Sequence, residues 1–179
     1  MVSISPLTIY CDGSCRDNRN VTAETPAGWG VVIVCGDTGL GRGRGEVFAE
    51  LLGTVVTNSE SDLWFGAEVG SNNTGELSAL AHALRWLLQE GGTEAVRIRS
   101  DSEYALNIAK GLWKPKANRE LARRVQNLWS EVEAHRELRG DHIHAHRGHR
   151  WNERADHLAW RAVNAEEPLP LQFWKPGKR

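Results

Sequence analysis

One short run, Gly28-Trp-Gly-Val-Val-Ile-Val34, constrains this 179-residue chain more than any other feature. Its apolarity is continuous instead of alternating, so it predicts a strand covered on both faces, and its glycines predict close approach of another backbone. Helices able to cover such a strand are signalled downstream. Leu77, Leu80, Leu84, Leu87 and Leu88 recur at helical spacing until Gly91-Gly92 stops the run. The chain therefore reads as an α/β protein built on a sheet with helices packed against it.

The remaining elements follow from local pattern. Leu7–Cys11 predicts a strand ending in the turn signal Asp12-Gly13-Ser14, and Arg16–Pro26 is polar and loop-like. Gly36–Gly45 holds five glycines in ten residues and predicts a turn or loop. Glu46–Thr57 and Leu63–Val69 are strand candidates on either side of Asn58–Asp62, and could pair as a hairpin. Beyond the leucine-rich helix, Ala95–Arg99 alternates like a strand. A short helix over Ser102–Lys110 and a longer one over Asn118–His135 follow, then a strand at Asp141–His146 and a helix at Asn152–Asn164. The early strands can form an antiparallel meander, whereas the later strand–helix–strand crossovers require parallel pairing, which gives a mixed sheet. With no long repeat or linker, a single domain over 1–179 is expected, with a Pro-containing tail at 166–179.

Composition excludes several classes. Hydrophobic residues at 40% and charged residues at 25% are ordinary for a globular chain and unlike a disordered one. Three cysteines without CxxC spacing suggest neither a disulfide framework nor a zinc site. No signal peptide is expected from the amino terminus, and no apolar run approaches the ~20 residues that span a bilayer. A cytoplasmic protein with no membrane partner is the expectation. A net charge of −1 argues against indiscriminate coating of nucleic acid. The charge is uneven, however: Lys110–Arg154 carries 11 Lys/Arg against 6 Asp/Glu and five of the seven histidines. Such a sector could bind a polyanion at one face, or be a solvated helix.

Four carboxylates stand at related places: Asp12 and Asp101 at strand ends, Glu76 and Asp156 in the first turns of helices. Strand ends and helix starts of α/β domains gather at one rim of the sheet. Two carboxylates ~4 Å apart repel by about 4 kcal/mol at an effective dielectric of 20, against ~5–15 kcal/mol of total stability. Divalent cations would offset this, and an all-oxygen ligand set favours Mg²⁺ or Mn²⁺ over zinc. Two such ions suit phosphodiester hydrolysis. Each residue also has a plainer reading. Glu76 could complete a capping box with Asn73, Asp101 could cap the next helix, Asp12 could serve a turn, and Asp156 could be an exposed helix charge. Four such coincidences in one order are less economical than one cluster.

Tyr10-Cys-Asp-Gly-Ser-Cys15, Asn72-Asn-Thr-Gly-Glu-Leu77, Arg99-Ser-Asp-Ser-Glu-Tyr104 and His146-Arg-Gly-His-Arg-Trp-Asn-Glu-Arg-Ala-Asp156 resemble, in order, the four motifs of type 1 ribonuclease H. The likeness covers about 7–165. It implies a five-stranded mixed sheet with the first three strands antiparallel and the last two parallel. The 36–62 region, longer than the family minimum, then looks like an added hairpin. It further implies a metal-binding tetrad of Asp12, Glu76, Asp101 and Asp156 holding two Mg²⁺ ions, with Mn²⁺ as a substitute. His146 matches the histidine of a loop that assists proton transfer or product release, a task its unperturbed pKa near ~6.5 suits. His149 matches the motif but is expected to pack or cap.

The implied activity is endonucleolytic hydrolysis of the RNA strand of an RNA–DNA hybrid, leaving 5′-phosphate and 3′-hydroxyl ends, by a monomer. Asn18, Asn72 and Asn73 resemble residues that read the RNA minor groove, since an amide both donates to and accepts from a 2′-hydroxyl. Cys15 would contribute through its backbone, and Trp113 resembles an aromatic of the DNA-strand channel. Glu103 stands where some relatives place a glutamine that touches RNA. Lys110–Arg119 is too short for the basic handle of some members. Lys114, Lys116, Arg119, Arg123 and Arg124 are expected to replace it in part, with weaker, salt-sensitive binding. Two alternatives stay open: a nuclease of the same fold acting on DNA, and a catalytically silent hybrid-binding module.

Overall fold

A computed structural model describes residues 7–38, 43–145 and 149–179. Among these residues five strands form one sheet: β1 (Leu7–Cys15), β2 (Ala27–Cys35), β3 (Glu46–Thr54), β4 (Val96–Ser100) and β5 (Leu138–His142), in the order β3-β2-β1-β4-β5. β1, β2 and β3 pair antiparallel, while β1–β4 and β4–β5 pair parallel. Among the described residues four helices accompany them: α1 (Asn72–Glu90), α2 (Glu103–Ala109), α3 (Arg119–Glu133) and α4 (Arg150–Val163). This is the mixed α/β architecture anticipated from the sequence.

Alternation along the central strands divides the core in two, because successive side chains point to opposite faces. Ile9, Cys11, Val31 and Ile33 pack with Leu77, Leu80, Leu84, Leu121 and Val125 of α1 and α3. Tyr10, Val32 and Val34 face the other way, onto Trp151, Ala155 and Leu158 of α4. The apolar run of β2 is therefore covered on both sides. Its glycines do what close approach requires: a Cβ on Gly30 would lie 2.3 Å from the Ala155 carbonyl oxygen. α4 can sit this near the sheet only because that atom is missing.

Two expectations are corrected. Leu63–Val69 forms no strand, and the only strand in the described part of 36–62 is β3, a full member of the sheet; among the described residues there is no added hairpin. Leu63–Val69 instead lies against α3. Gly66 takes φ +109°, Arg124 donates to the Trp64 carbonyl, and the Trp64 indole donates to the Ala67 carbonyl. Backbone groups engaged by side chains in this way are not offered to a neighbouring strand. The last strand also begins three residues earlier than expected, at Leu138. Among the described residues, no helix is long and apolar enough to cross a membrane.

Candidate active site

Sheet register places the first two carboxylates. The parallel β1–β4 ladder ends at Cys11 opposite Ser100, so Asp12 and Asp101 are the next residues on neighbouring strands. Adjacent strands lie ~4.8 Å apart, which brings the two side chains together without any loop to hold them. Asp12 lies within β1, paired with Gly30, because β2 continues opposite it; it is not in the expected turn.

Glu76 arrives through a glycine contact. A Cβ on Gly13 would stand 2.3 Å from the Glu76 amide nitrogen, and one on Gly75 would stand 3.1 Å from the Gly13 Cα. Two bare α-carbons thus let the first turn of α1 touch the end of β1. Asp156 follows from the same economy on the other face, since Gly30, opposite Asp12, admits the α4 turn containing Ala155.

The plainer duties are performed by other residues. Ser71, not Asn73, is the N-cap of α1, and Ser71 and Thr74 complete the capping box between them. Ser102, not Asp101, caps α2 by accepting from the Ala105 amide at 3.1 Å. Glu76 and Asp101 are thereby released from capping.

Carboxylate oxygens of Asp12, Glu76 and Asp101 lie within 4.8 Å of one another. Asp12 and Glu76 are buried, at 5% and 9% exposure. Burial pushes the Asp12 carboxyl well above its usual range, with the Glu76 and Asp101 charges adding to the rise. Burial likewise raises Glu76 to about 8, against opposing hydrogen bonds from Asp12 and Gly13, with Asp101 and Asp156 pushing it further up. Glu76 Oε2 is buried and has no hydrogen-bond partner among the described residues. A buried oxygen without a donor, in a cluster that resists ionisation, fits a site for a hard divalent cation.

Asp156 faces the same cleft, about 500 Å³ in volume, with Cys15, Asn72, Asn73 and Asn152 also on its walls. It is ion-paired there with Arg179, not a free helix charge. Asn18 stands just behind, its Oδ1 accepting the Asn72 amide at 3.0 Å. Glu103 is exposed in the first turn of α2 and outside the cleft walls. Trp113, 46% exposed, lines an adjoining groove with Tyr104, Leu112, Lys114 and Lys116, and Asn73 borders both concavities. His146 lies outside the described residues. His149 occupies the N-cap position of α4 without a side-chain cap bond.

Two cleft residues were not singled out from sequence. Asn152 donates to Asp101 Oδ2 at 3.4 Å; it stands four residues before Asp156, a spacing that puts both on one helix face. Arg179 grips Asp156 from 23 positions away, which no local pattern signals.

Residues 5–164 match the family model for RNase H. The chain belongs to the ribonuclease H family. Membership makes it a nuclease, a phosphodiester hydrolase, and accounts for an acidic cleft at the strand ends. The ribonuclease H of Thermosynechococcus vestitus is 30% identical over 176 residues, covering 94% of each chain. That of Verminephrobacter eiseniae is 33% identical over 175 residues, covering 90% of this chain and 92% of its own. Among solved structures, LC11-RNase H1, isolated from compost by a metagenomic approach, superposes with a TM-score of 0.65 at 26% identity, covering 90% of this ribonuclease H and 98% of that chain. The same protein in complex with an RNA/DNA hybrid gives 0.63 at 25% identity, over 89% and 97%.

Proposed function

We propose that this ribonuclease H is a single-domain, monomeric cytoplasmic endonuclease that cuts the RNA strand of RNA–DNA hybrids, using two divalent cations, Mg²⁺ or Mn²⁺. The observation that carries this reading is the meeting of Asp12, Glu76 and Asp101 within 4.8 Å, with Asp156 on the same cleft. Asp12, Glu76 and Asp101, with Asp156 on the same cleft, would hold the ions. Such a pair, when bound, supplies a nucleophile at neutral pH and stabilises the leaving 3′-oxygen, so products carry 5′-phosphate and 3′-hydroxyl ends.

The chain's own residues bind and orient. Asn152 holds Asp101 by its amide, and Asn18 fixes the first turn of α1 through the Asn72 amide. Asn72, Asn73 and the Cys15 backbone border the carboxylates, where a ribose 2′-hydroxyl could exchange hydrogen bonds with them. Trp113, with Lys114 and Lys116, offers an aromatic and cationic groove for the second strand. Arg123 and Arg124 are less available than their sequence suggests, because both pair with Glu120. Substrate grip therefore rests on Lys114, Lys116 and Arg119, which favours weak, salt-sensitive binding. Glu103, exposed beside the cleft, would accept from a hydroxyl, and His146 would serve proton transfer or product release.

Incubation with labelled hybrid, duplex RNA and duplex DNA, with and without Mg²⁺, tests the reading. Mg²⁺-dependent cutting confined to the RNA of the hybrid is expected. Preference for duplex DNA, or hybrid binding without cleavage in Mg²⁺ and Mn²⁺, would sink it.

A further inference from the structure

The tail at 166–179 returns to the carboxylate cleft and places a guanidinium in it. Gly177, Lys178 and Arg179 form part of the cleft wall. Arg179 donates from Nη2 to Asp156 Oδ1 at 2.9 Å and from Nε to Oδ2 at 3.0 Å, so both oxygens of one carboxylate are engaged. Its guanidinium also lies 4.7 Å from the centre of the Trp160 ring.

This placement is built, not incidental. Trp174, 2% exposed, anchors the tail against α4, with Arg150 and Arg154 each 5.3 Å from its ring. His157 is fully buried; its Nε2 accepts from the Leu169 amide at 3.0 Å, which leaves the Nδ1 proton for the Lys178 carbonyl at 3.1 Å. The Trp174 indole donates to that carbonyl as well, at 2.9 Å. Residue 178 is thus held by two buried donors, and Gly177 beside it takes φ +84°, a conformation that turns the chain toward the cleft. The Arg179 side chain that follows is half exposed, at 49%.

We propose that Arg179 is a tethered counterion of the carboxylate cluster, one that competes with a divalent cation for Asp156 and so sets the metal concentration at which the cleft fills. The inference rests on the reading of Asp156 as a cation ligand. A guanidinium has donors only; it can neutralise the carboxylate but cannot share a lone pair with a metal or ligate one. A cation entering at Asp156 must either displace Arg179 or settle beside its positive charge, and each route weakens binding. The exposed, bidentate pair is strong enough to hold the arginine in the empty cleft and weak enough to yield to a divalent ion.

Calorimetric titration of Mn²⁺ and of Mg²⁺ into the wild-type chain, Arg179→Ala, Arg179→Lys and Asp156→Asn tests this, with circular dichroism to verify folding. Arg179→Ala should bind roughly three- to tenfold more tightly than wild type. Arg179→Lys, which keeps the charge but loses the two-pronged grip, should fall between them. In the Asp156→Asn background, Arg179→Ala should tighten binding by much less than it does in wild type. Equal affinities in wild type and Arg179→Ala, or weaker binding by the variant, would overturn the inference and leave the site intact. If neither wild type nor variants bind either ion, the cation site itself falls, and this inference with it.

Discussion

Two charge systems sit two residues apart on α4, one buried and one open to the cleft, and they are treated oppositely. Arg154, 2% exposed, is satisfied by the protein: Nε and Nη2 reach Glu50 at 2.6 and 2.9 Å, Nη1 reaches the Leu169 carbonyl at 2.8 Å, and Trp174 covers its face. Around Asp156 acidic side chains crowd together: Asp12, Glu76 and Asp101 meet within 4.8 Å, Asp156 pairs with a half-exposed arginine, and among the described residues a buried Glu76 oxygen has no donor. A charge that the fold neutralises completely is architecture. A cluster whose ionisation the fold resists holds free energy that a bound cation can release, and such sites are where chemistry resides.

The contrast can be broken by mutation. The largest effect is expected for Asp101→Asn: a loss of about 10⁴-fold in hybrid cleavage, roughly 5 kcal/mol of transition-state stabilisation, with an unchanged or slightly raised melting temperature. Activity near wild type in single-turnover cleavage would remove Asp101 from the chemistry. Arg154→Ala should do the reverse. Leaving Glu50 without its cation costs about 3–5 kcal/mol of stability in urea unfolding, while the folded fraction keeps its cleavage rate. An undiminished unfolding midpoint would show that the Arg154–Glu50 pair is ornamental.

A pH experiment sharpens the same contrast. Glu76 is raised from 4.5 to about 8 in the fold, and Asp12 moves the same way. Groups with raised pKa values favour the folded state while protonated, so their contribution is complete below about pH 4.5 and is lost as pH rises through 8. In chelator, wild type should therefore become less stable than Glu76→Gln as pH increases, by roughly 2–4 kcal/mol, and Mg²⁺ should close the gap. Parallel stability profiles for the two proteins would contradict the burial of an ionisable Glu76. The smallest effect is set for Gly75→Ala. The added methyl would meet the Gly28 carbonyl oxygen of β2 at 2.6 Å and the Gly13 Cα of β1 at 3.1 Å and push α1 off the sheet, costing about 1–3 kcal/mol of stability and weakening Mn²⁺ binding. Unaltered Mn²⁺ affinity would show that the glycine contact does not position Glu76.

What could be read from the chain alone follows from where signals are local. β2 announced its burial because both its faces are covered, and α1 because a leucine stripe runs along one side. The four carboxylates were legible as a group near strand ends and helix starts, although Asp12 lies inside β1 and Asp156 is the seventh residue of α4. β5 was misplaced because it is an edge strand of sequence Leu-Arg-Gly-Asp-His, with little apolar signal to mark it. Leu63–Val69 misled for the opposite reason: its aromatic residues pack on helices, Trp64 against Arg124 of α3 and Phe65 against His82 and Arg85 of α1, and not on a neighbouring strand. The Arg179–Asp156 pair lies beyond any local rule, since only the course of the tail over Trp174 creates it.

The ladder that ends at Cys11 and Ser100 has a consequence for how such a protein can vary. Because Asp12 and Asp101 are neighbours by hydrogen-bond counting, connecting segments can lengthen or shrink freely and leave their spacing untouched. A single residue inserted into β1 or β4 would instead carry one carboxylate ~3.3 Å along and turn it to the opposite side of the sheet. Tolerance to indels should thus be wide in the joins and nil in those two strands, even at positions far from any nucleic acid.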